Sequence, residues 1–253
     1  MSLHETMIRS GHTIFKWRSY IPLLFIIPLL LALRESAHLE EVFGENEEDL
    51  WVLASFLLSL SGIAIRCFTV GFVPGGTSGR NTQSQRATHL NTTGMYSVVR
   101  NPLYLGNFII ILGVLMSMMV WWLVLIGALG FFIYMERIIM AEEAFLEQTY
   151  GAEYNEWRAK TPVIIPNFRL WHAPEMSFSW KTVLKREYNG LLGMATAFFV
   201  IEVVKDLFIE KEPLAQWLRE DIVWPVLYGL IFALCLTLRF LKKRTNMLKV
   251  EGR

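Results

Sequence analysis

The sequence predicts an all-α, polytopic membrane protein of about six transmembrane helices. Three observations carry this. First, 53% of the 253 residues are hydrophobic and only 19% charged, against roughly 25% charged in soluble domains, and the mean hydropathy is +0.37. Second, the apolar residues fall in blocks close to the ~20 residues that an apolar helix needs to cross a ~30 Å hydrocarbon core. Third, the segments between blocks alternate in charge. The same figures exclude a disordered chain, which needs low hydrophobicity and high charge. A formal net charge of +1 argues against a nucleic-acid partner. Two cysteines, Cys67 and Cys235, both in apolar runs, exclude a disulfide scaffold.

Taken in order, the first block, 17–33, is short, contains Pro22 and Pro28, and is bracketed by Arg18 and Arg34. A signal peptide is the competing reading, but no small-x-small cleavage site follows and an acidic stretch begins at once. The second block, 50–73, carries Arg66 as its one charge. The third, 103–135, has no charge at all. As one helix it would run ~50 Å, far more than a bilayer requires. It therefore reads as a tight helical hairpin turning near Met118–Trp121. Gly106 and Gly113 on one arm, with Gly127 and Gly130 on the other, are expected to let the arms approach, although glycine is also common in membrane helices generally. The last two blocks are 190–209 and 222–241, the latter closed by Lys242, Lys243 and Arg244.

Six spans put both termini on one side, and the charges sort accordingly. Segments 1–19, 74–102, 136–189 and 242–253 hold 18 Lys/Arg against 10 Asp/Glu, a net of +8. Segments 34–49 and 210–221 hold 3 against 11, a net of −8. The positive-inside rule then makes the termini and the two longest polar segments cytoplasmic.

The richest stretch is Gly94-Met-Tyr-Ser-Val-Val-Arg-Asn-Pro-Leu-Tyr-Leu-Gly106. Pro102 suits a helix N-terminus, where its missing N–H costs nothing. A helix start attracts anions, and Arg100 beside it adds a charge-assisted donor. Beyond the hairpin come Glu142 and Glu143, then Tyr150-Gly-Ala-Glu-Tyr154. If the hairpin turns near residue 119 with equal arms, Arg100 lies level with about residue 139. An arginine and two carboxylates then share one membrane edge, with Tyr96 and Tyr104 as aromatic walls. That combination suits a zwitterionic ligand with a carboxylate and a cationic centre.

The order Arg100-Asn101-Pro102-Leu103-Tyr104-Leu105-Gly106, Glu142-Glu143, Tyr150-Gly151-Ala-Glu-Tyr154-Asn-Glu-Trp157 and Thr161-Pro162 to Pro166 resembles the isoprenylcysteine carboxyl methyltransferase and phospholipid N-methyltransferase superfamily of integral membrane enzymes. The resemblance implies S-adenosylmethionine bound at the cytoplasmic membrane edge and a lipid or lipid-modified acceptor arriving from the bilayer. It carries a cofactor-binding role onto Tyr96, Arg100, Asn101, Pro102, Tyr104, Gly106, Glu142 and Glu143, and a catalytic one onto Arg100, Asn101 and Glu143. It divides the chain into N-terminal spans and a loop (1–92), a catalytic hairpin region (93–168), and a linker with two C-terminal spans (169–253). Asn101 stands where the family has histidine, and an amide does not titrate near neutral pH. An acceptor that is already ionised, a carboxylate or phosphate oxygen, needs no base, whereas an ammonium must first lose a proton. Two alternatives stay open: an NADPH-dependent membrane reductase of related architecture, and a non-catalytic transporter or scaffold.

The remaining features carry blander readings. Gly75-Gly76-Thr-Ser-Gly79-Arg80 lacks the ending of a phosphate loop and reads as a flexible loop near the active edge. Trp157 reads as part of an interfacial aromatic belt. Arg66 and Arg239 read as snorkelling side chains, and Glu202 with Lys205 as a self-neutralising pair three residues apart, with Asp206 beside it. The five histidines show no ligand spacing, so no metal is expected.

Overall fold

The computed structural model describes residues 3–17, 26–74 and 89–252, and every regular element among them is helical. The order is α1 (Leu3–Trp17), α2 (Ile26–Phe43), α3 (Glu45–Phe72), a single turn α4 (Met95–Val98), α5 (Pro102–Met116), α6 (Trp121–Tyr150), α7 (Ala152–Lys160), α8 (Trp180–Val203) continued by a π-helical segment (Val204–Glu210), α9 (Leu214–Glu220) and α10 (Val223–Arg244). By length and composition, Glu47–Phe72, Trp121–Tyr150 and Val223–Arg244 suffice to cross a membrane, and Pro102–Met116 is a shorter apolar helix. The first expected span, 17–33, is described only at Trp17 and from Ile26, so its centre lies outside the described residues, as does the Gly75–Arg80 loop.

The helices α3, α5, α6, α8 and α10 run antiparallel to their neighbours, so the molecule has two ends. Along α3 and α8, Gly71 meets Ser179, Arg66 meets Glu187, Phe56 meets Phe198 and Glu48 meets Lys205. On α10, Trp224 stacks on Phe198, Cys235 meets the Tyr188 carbonyl and Lys242 the Lys185 carbonyl. Residues 94–106 and 136–150 fall at the end that holds Gly71 and Ser179. The opposite end is closed by an apolar cluster of Ala32, Leu33, Leu115, Met118, Val120, Leu123 and Ile201.

The chain reverses at 117–120, where Met119 takes a left-handed φ of 56° and its N–H bonds to the Met116 carbonyl. That conformation usually calls on glycine or asparagine, which is why no residue type marked the turn. Beyond it, Leu115 lies against Gly127, and Phe108 lies 6.0 Å from Phe131.

Several expectations are corrected. The acidic stretch 34–49 is helical on both sides of Gly44, whose φ of 97° supplies the break. Gly106 and Gly113 do not face α6. A Cβ on Gly106 would meet Arg66 Cγ at 2.6 Å and the Gly62 carbonyl at 2.9 Å, and one on Gly113 would meet Ser59 Oγ and the Ser55 carbonyl at 2.5 Å. The small residues thus bring α5 against α3, since contact between helices in lipid rests on close van der Waals packing and interhelical hydrogen bonds. The Ser59 hydroxyl donates across this crossing to the Ile110 carbonyl at 2.9 Å. Of the four glycines named for the α5–α6 contact, Gly127 faces α5.

Buried charges are also partnered differently. Lys205 bonds Glu48 of α3 at 2.5 Å and lies 3.8 Å from Glu202 and 3.6 Å from Asp206, which accepts from the Trp217 indole at 2.8 Å. The cluster sits where α8 becomes π-helical, and the wider turn aims Lys205 at α3 rather than leaving it to its i−3 neighbour alone. Helix α8 begins at Trp180, ten residues before the expected span. Ser179 caps it by accepting from the Thr182 N–H, and Lys181, Lys185 and Arg186 extend it as a polar turn beyond the apolar stretch.

Candidate functional site

Residues 94–101 form a short, clasped segment. The Gly94 N–H donates to the His172 carbonyl, the His172 N–H to Ser97 Oγ and the Asn167 N–H to the Val98 carbonyl, each at 2.9 Å. The Arg100 N–H donates to the Pro162 carbonyl at 2.8 Å. Trp157 completes the clasp, because its indole N–H donates to the Tyr96 carbonyl at 3.1 Å. This corrects the belt reading of Trp157, which braces the site. The segment lacks helical spacing, and its partners lie 60–80 residues away, so neither periodicity nor composition marked 162–172 as part of the site.

Pro102 occupies the start of α5 as expected, but Asn101 makes no side-chain cap. Its amide instead donates to the Val163 carbonyl at 3.1 Å. Asn101→Asp is therefore expected to lower the melting temperature more than Asn101→Ala. Alanine only removes a hydrogen bond, about 1 kcal/mol, whereas aspartate sets an acceptor against an acceptor. Equal melting temperatures would refute this role.

The structure joins Arg100 to Glu143 and Tyr104 to Glu142. Arg100 Nη1 lies 3.0 Å from Glu143 Oε1, and the Tyr104 hydroxyl donates to Glu142 Oε1 at 2.9 Å. Arg100 reaches residue 143 rather than 139, and the offset is already present inside α5, where Tyr104 meets Glu142. The Arg100–Glu143 approach is close but poorly directed. Among the described residues, five buried side-chain atoms lack a well-directed hydrogen bond, Ser55 Oγ, Arg100 Nε, Glu143 Oε1, the Tyr154 hydroxyl and Glu212 Oε1, and three of the five belong to this site. Buried polar atoms are otherwise satisfied in folded proteins. Three orphans of different character at one point are what a ligand with both acceptor and donor groups would complete.

Gly106 lies behind this point, packed against Gly62 and Arg66 of α3. Tyr96 faces two ways. Its hydroxyl feels the charges of Arg186, Glu142 and Arg66. Its residue also lines a cavity of about 380 Å³ bounded by the end of α3, residues 89–95, Tyr150, Glu153 and 174–176. None of the other predicted site residues lines that cavity. Among the described residues no cluster of three or more His, Cys, Asp or Glu is arranged to hold a metal ion.

Burial pushes the Tyr96 phenol up to about 12, with Glu142 adding to the rise and Arg186 and Arg66 opposing it. The Tyr154 phenol also rises to about 12, through burial and then Glu143, against the pull of Arg100. Both folded values exceed the ordinary 10, so the folded state holds these protons more tightly than the unfolded one. Their contribution is fully present below pH 10 and is lost as pH rises from 10 to 12. The melting temperature should fall over that window, and fall less in Tyr154→Phe. At neutral pH that variant should melt close to wild type, because the lost hydroxyl makes no well-directed hydrogen bond and only a weak interaction with Arg100. A melting temperature clearly below wild type at pH 7 would show that the hydroxyl is bonded.

The phospholipid methyltransferase family matches residues 55–153, from α3 through the start of α7. The nickel-cobalt-cadmium resistance protein NccN of Alcaligenes xylosoxydans xylosoxydans is 30% identical over 181 residues, covering 70% of this chain and 79% of that protein. The cobalt-zinc-cadmium resistance protein CzcN of Cupriavidus metallidurans is 28% identical, covering 78% of this chain and 82% of that protein. The protein-S-isoprenylcysteine O-methyltransferase of Schizosaccharomyces pombe is 36% identical over 77 residues, covering 30% of this chain and 33% of that enzyme. No solved structure matches the chain. The matched segment contains the Arg100 to Gly106 turn and the Glu142–Glu143 pair, and the all-helical fold holds both at one end of an apolar bundle. The chain belongs to the superfamily of integral membrane methyltransferases that includes the isoprenylcysteine carboxyl methyltransferases and the phospholipid methyltransferases.

Proposed function

We propose that the protein uses S-adenosylmethionine to methylate a lipid or lipid-modified acceptor at the cytoplasmic face of a membrane. The observation that carries this is the buried group of the Arg100 guanidinium, the Glu143 carboxylate and the Tyr154 hydroxyl, in which Arg100 Nε, Glu143 Oε1 and the hydroxyl lack a well-directed hydrogen bond. A guanidinium, a carboxylate and a phenol fit a zwitterion whose carboxylate, ammonium and hydroxyl groups need one partner each. When bound, S-adenosylmethionine supplies a methyl group already activated by its sulfonium.

The chain's own residues then bind, orient and exclude water. Arg100 holds a carboxylate, and Glu143 accepts from an ammonium or a ribose hydroxyl. Tyr104 fixes Glu142 through the 2.9 Å bond, so that this carboxylate keeps one orientation. Alignment and desolvation provide most of what such a transfer needs. The Asn101 amide takes no proton near neutral pH, which favours an acceptor that is already an anion, a carboxylate or phosphate oxygen. Over the full segments on the site side, 1–19, 74–102, 136–189 and 242–253, the net charge is +8, and over 34–49 and 210–221 it is −8. That distribution supports six spans with both termini and the site cytoplasmic.

The test is purified full-length protein in vesicles of phosphatidylethanolamine and phosphatidylglycerol, supplied with methyl-tritiated S-adenosylmethionine. Label is expected in the lipid phase; a carboxyl methyl ester gives volatile labelled methanol in mild base, and mass spectrometry of the labelled head group tells a methylated phosphate from a methylated amine. Thermal stabilisation by S-adenosylhomocysteine reads the donor independently of the acceptor. Stabilisation by NADPH instead, with no methyl transfer, would overturn the proposal.

A further inference from the structure

Helix α8 lies outside the family's matched segment, yet it reaches the site. Arg66 of α3 is held in a two-pronged pair with Glu187 of α8, Nε to Oε2 at 2.7 Å and Nη2 to Oε1 at 3.1 Å. Its third nitrogen, Nη1, donates to Asn107 Oδ1 of α5 at 2.6 Å. The two side chains are 16% and 6% exposed, so the pair sits in a medium of low polarity where a single geometry is strongly preferred. The Arg66 methylenes fill the space left by Gly106. Three helices thus meet at one guanidinium, and on α5 that joint grips residues 106 and 107. One turn earlier on the same helix is Tyr104, bonded to Glu142, and just before the helix is Arg100. The charge of the neighbouring Arg186 opposes the rise of the Tyr96 phenol that Glu142 adds to.

We propose that Glu187 is a positioning residue of the site: it fixes Arg66, and Arg66 fixes the first turns of α5 that set Arg100 and Tyr104 against Glu143 and Glu142. The pair of C-terminal helices is then a working part of the site. The ligand side of this inference rests on the S-adenosylmethionine reading; the positioning side does not.

The test uses full-length protein in detergent carrying Arg66→Met with Glu187→Met. Replacing both members of a buried pair by apolar residues of similar volume is commonly neutral or stabilising, so a role in stability alone predicts an unaltered site. Two quantities are read: hydrogen–deuterium exchange across residues 94–106, and the Kd for S-adenosylhomocysteine by calorimetry. The expected result is a melting temperature close to wild type, faster exchange across 94–106 and binding weaker by about tenfold or more. Both changes are required, and either one without the other overturns the proposal. Where the apolar pair does not fold, Glu187→Gln is compared with Glu187→Ala: glutamine keeps an acceptor for Arg66, so exchange across 94–106 and the Kd should both lie between wild type and alanine, and values equal to alanine's or to wild type's would overturn the proposal. If wild-type protein does not bind S-adenosylhomocysteine, the cofactor reading fails, and the exchange result alone decides the role of Glu187.

Discussion

Arg100→Ala is expected to weaken S-adenosylhomocysteine binding by about a hundredfold or more and to remove methyl transfer. The Arg100 and Glu143 side chains are only 12% and 22% exposed. Truncating a buried charge that pairs with a ligand group costs about 2–5 kcal/mol of binding, and each 1.4 kcal/mol is tenfold in affinity. The Glu143 carboxylate is also left buried and unpaired, so the variant should melt lower. Arg100→Lys separates the two effects. It keeps the charge beside Glu143 and hence most of the stability, but a single ammonium cannot reproduce a planar fork. Its affinity should fall between wild type and alanine. Wild-type affinity in Arg100→Ala, measured by calorimetry on folded protein, would remove Arg100 from the site.

The second large effect is expected at the crossing of α3 and α5. A Cβ on Gly62 would lie 2.6 Å from the Gly106 carbonyl oxygen and 2.9 Å from the Ile110 nitrogen. Both are backbone atoms and cannot swing aside, so Gly62→Ala must push the two helices apart. Overpacking of this kind costs about 3 kcal/mol. It also separates Arg66 from Asn107, so ligand affinity should fall along with stability. Gly193→Ala on α8 and Gly229→Ala on α10, where a new Cβ meets nothing within 4 Å, should be neutral or stabilise by up to about 1 kcal/mol. Thermal melts of the three variants in one detergent check this. A Gly62→Ala melt equal to that of Gly193→Ala would show that the crossing is looser than the structure has it.

These two sites differ in how far the sequence announced them. Arg100, Pro102, Tyr104, Glu142 and Glu143 were legible because each is a chemically distinctive residue beside an apolar block, in an order that few families share. Reversal of the chain then brought the two groups together. Tyr154 was legible only as a position in the Tyr150–Trp157 pattern; its unpartnered hydroxyl was not. Trp157 and the stretch 161–166 were legible as part of the family pattern, but the bonds of the Trp157 indole, of the Pro162 and Val163 carbonyls and of the His172 backbone were not, because they are made across long sequence separations.

Gly62, Gly106 and Glu187 mark a different limit. Hydropathy finds a membrane helix by how apolar it is along its length. A helix apolar on every side carries little periodic pattern to say which face meets which neighbour. Lipid and protein interior are equally apolar to a leucine, so composition cannot choose between them; close van der Waals packing and a few buried polar bonds can. The sequence by itself therefore determined the helical class, the apolar blocks, the charge asymmetry and the Arg100 to Glu143 chemistry. Only the tertiary structure decided that Gly106 and Gly113 face α3, that Lys205 pairs with Glu48, and that Arg66 ties α8 to the site. Those pairings depend on three-dimensional shape and on where a buried charge finds its partner.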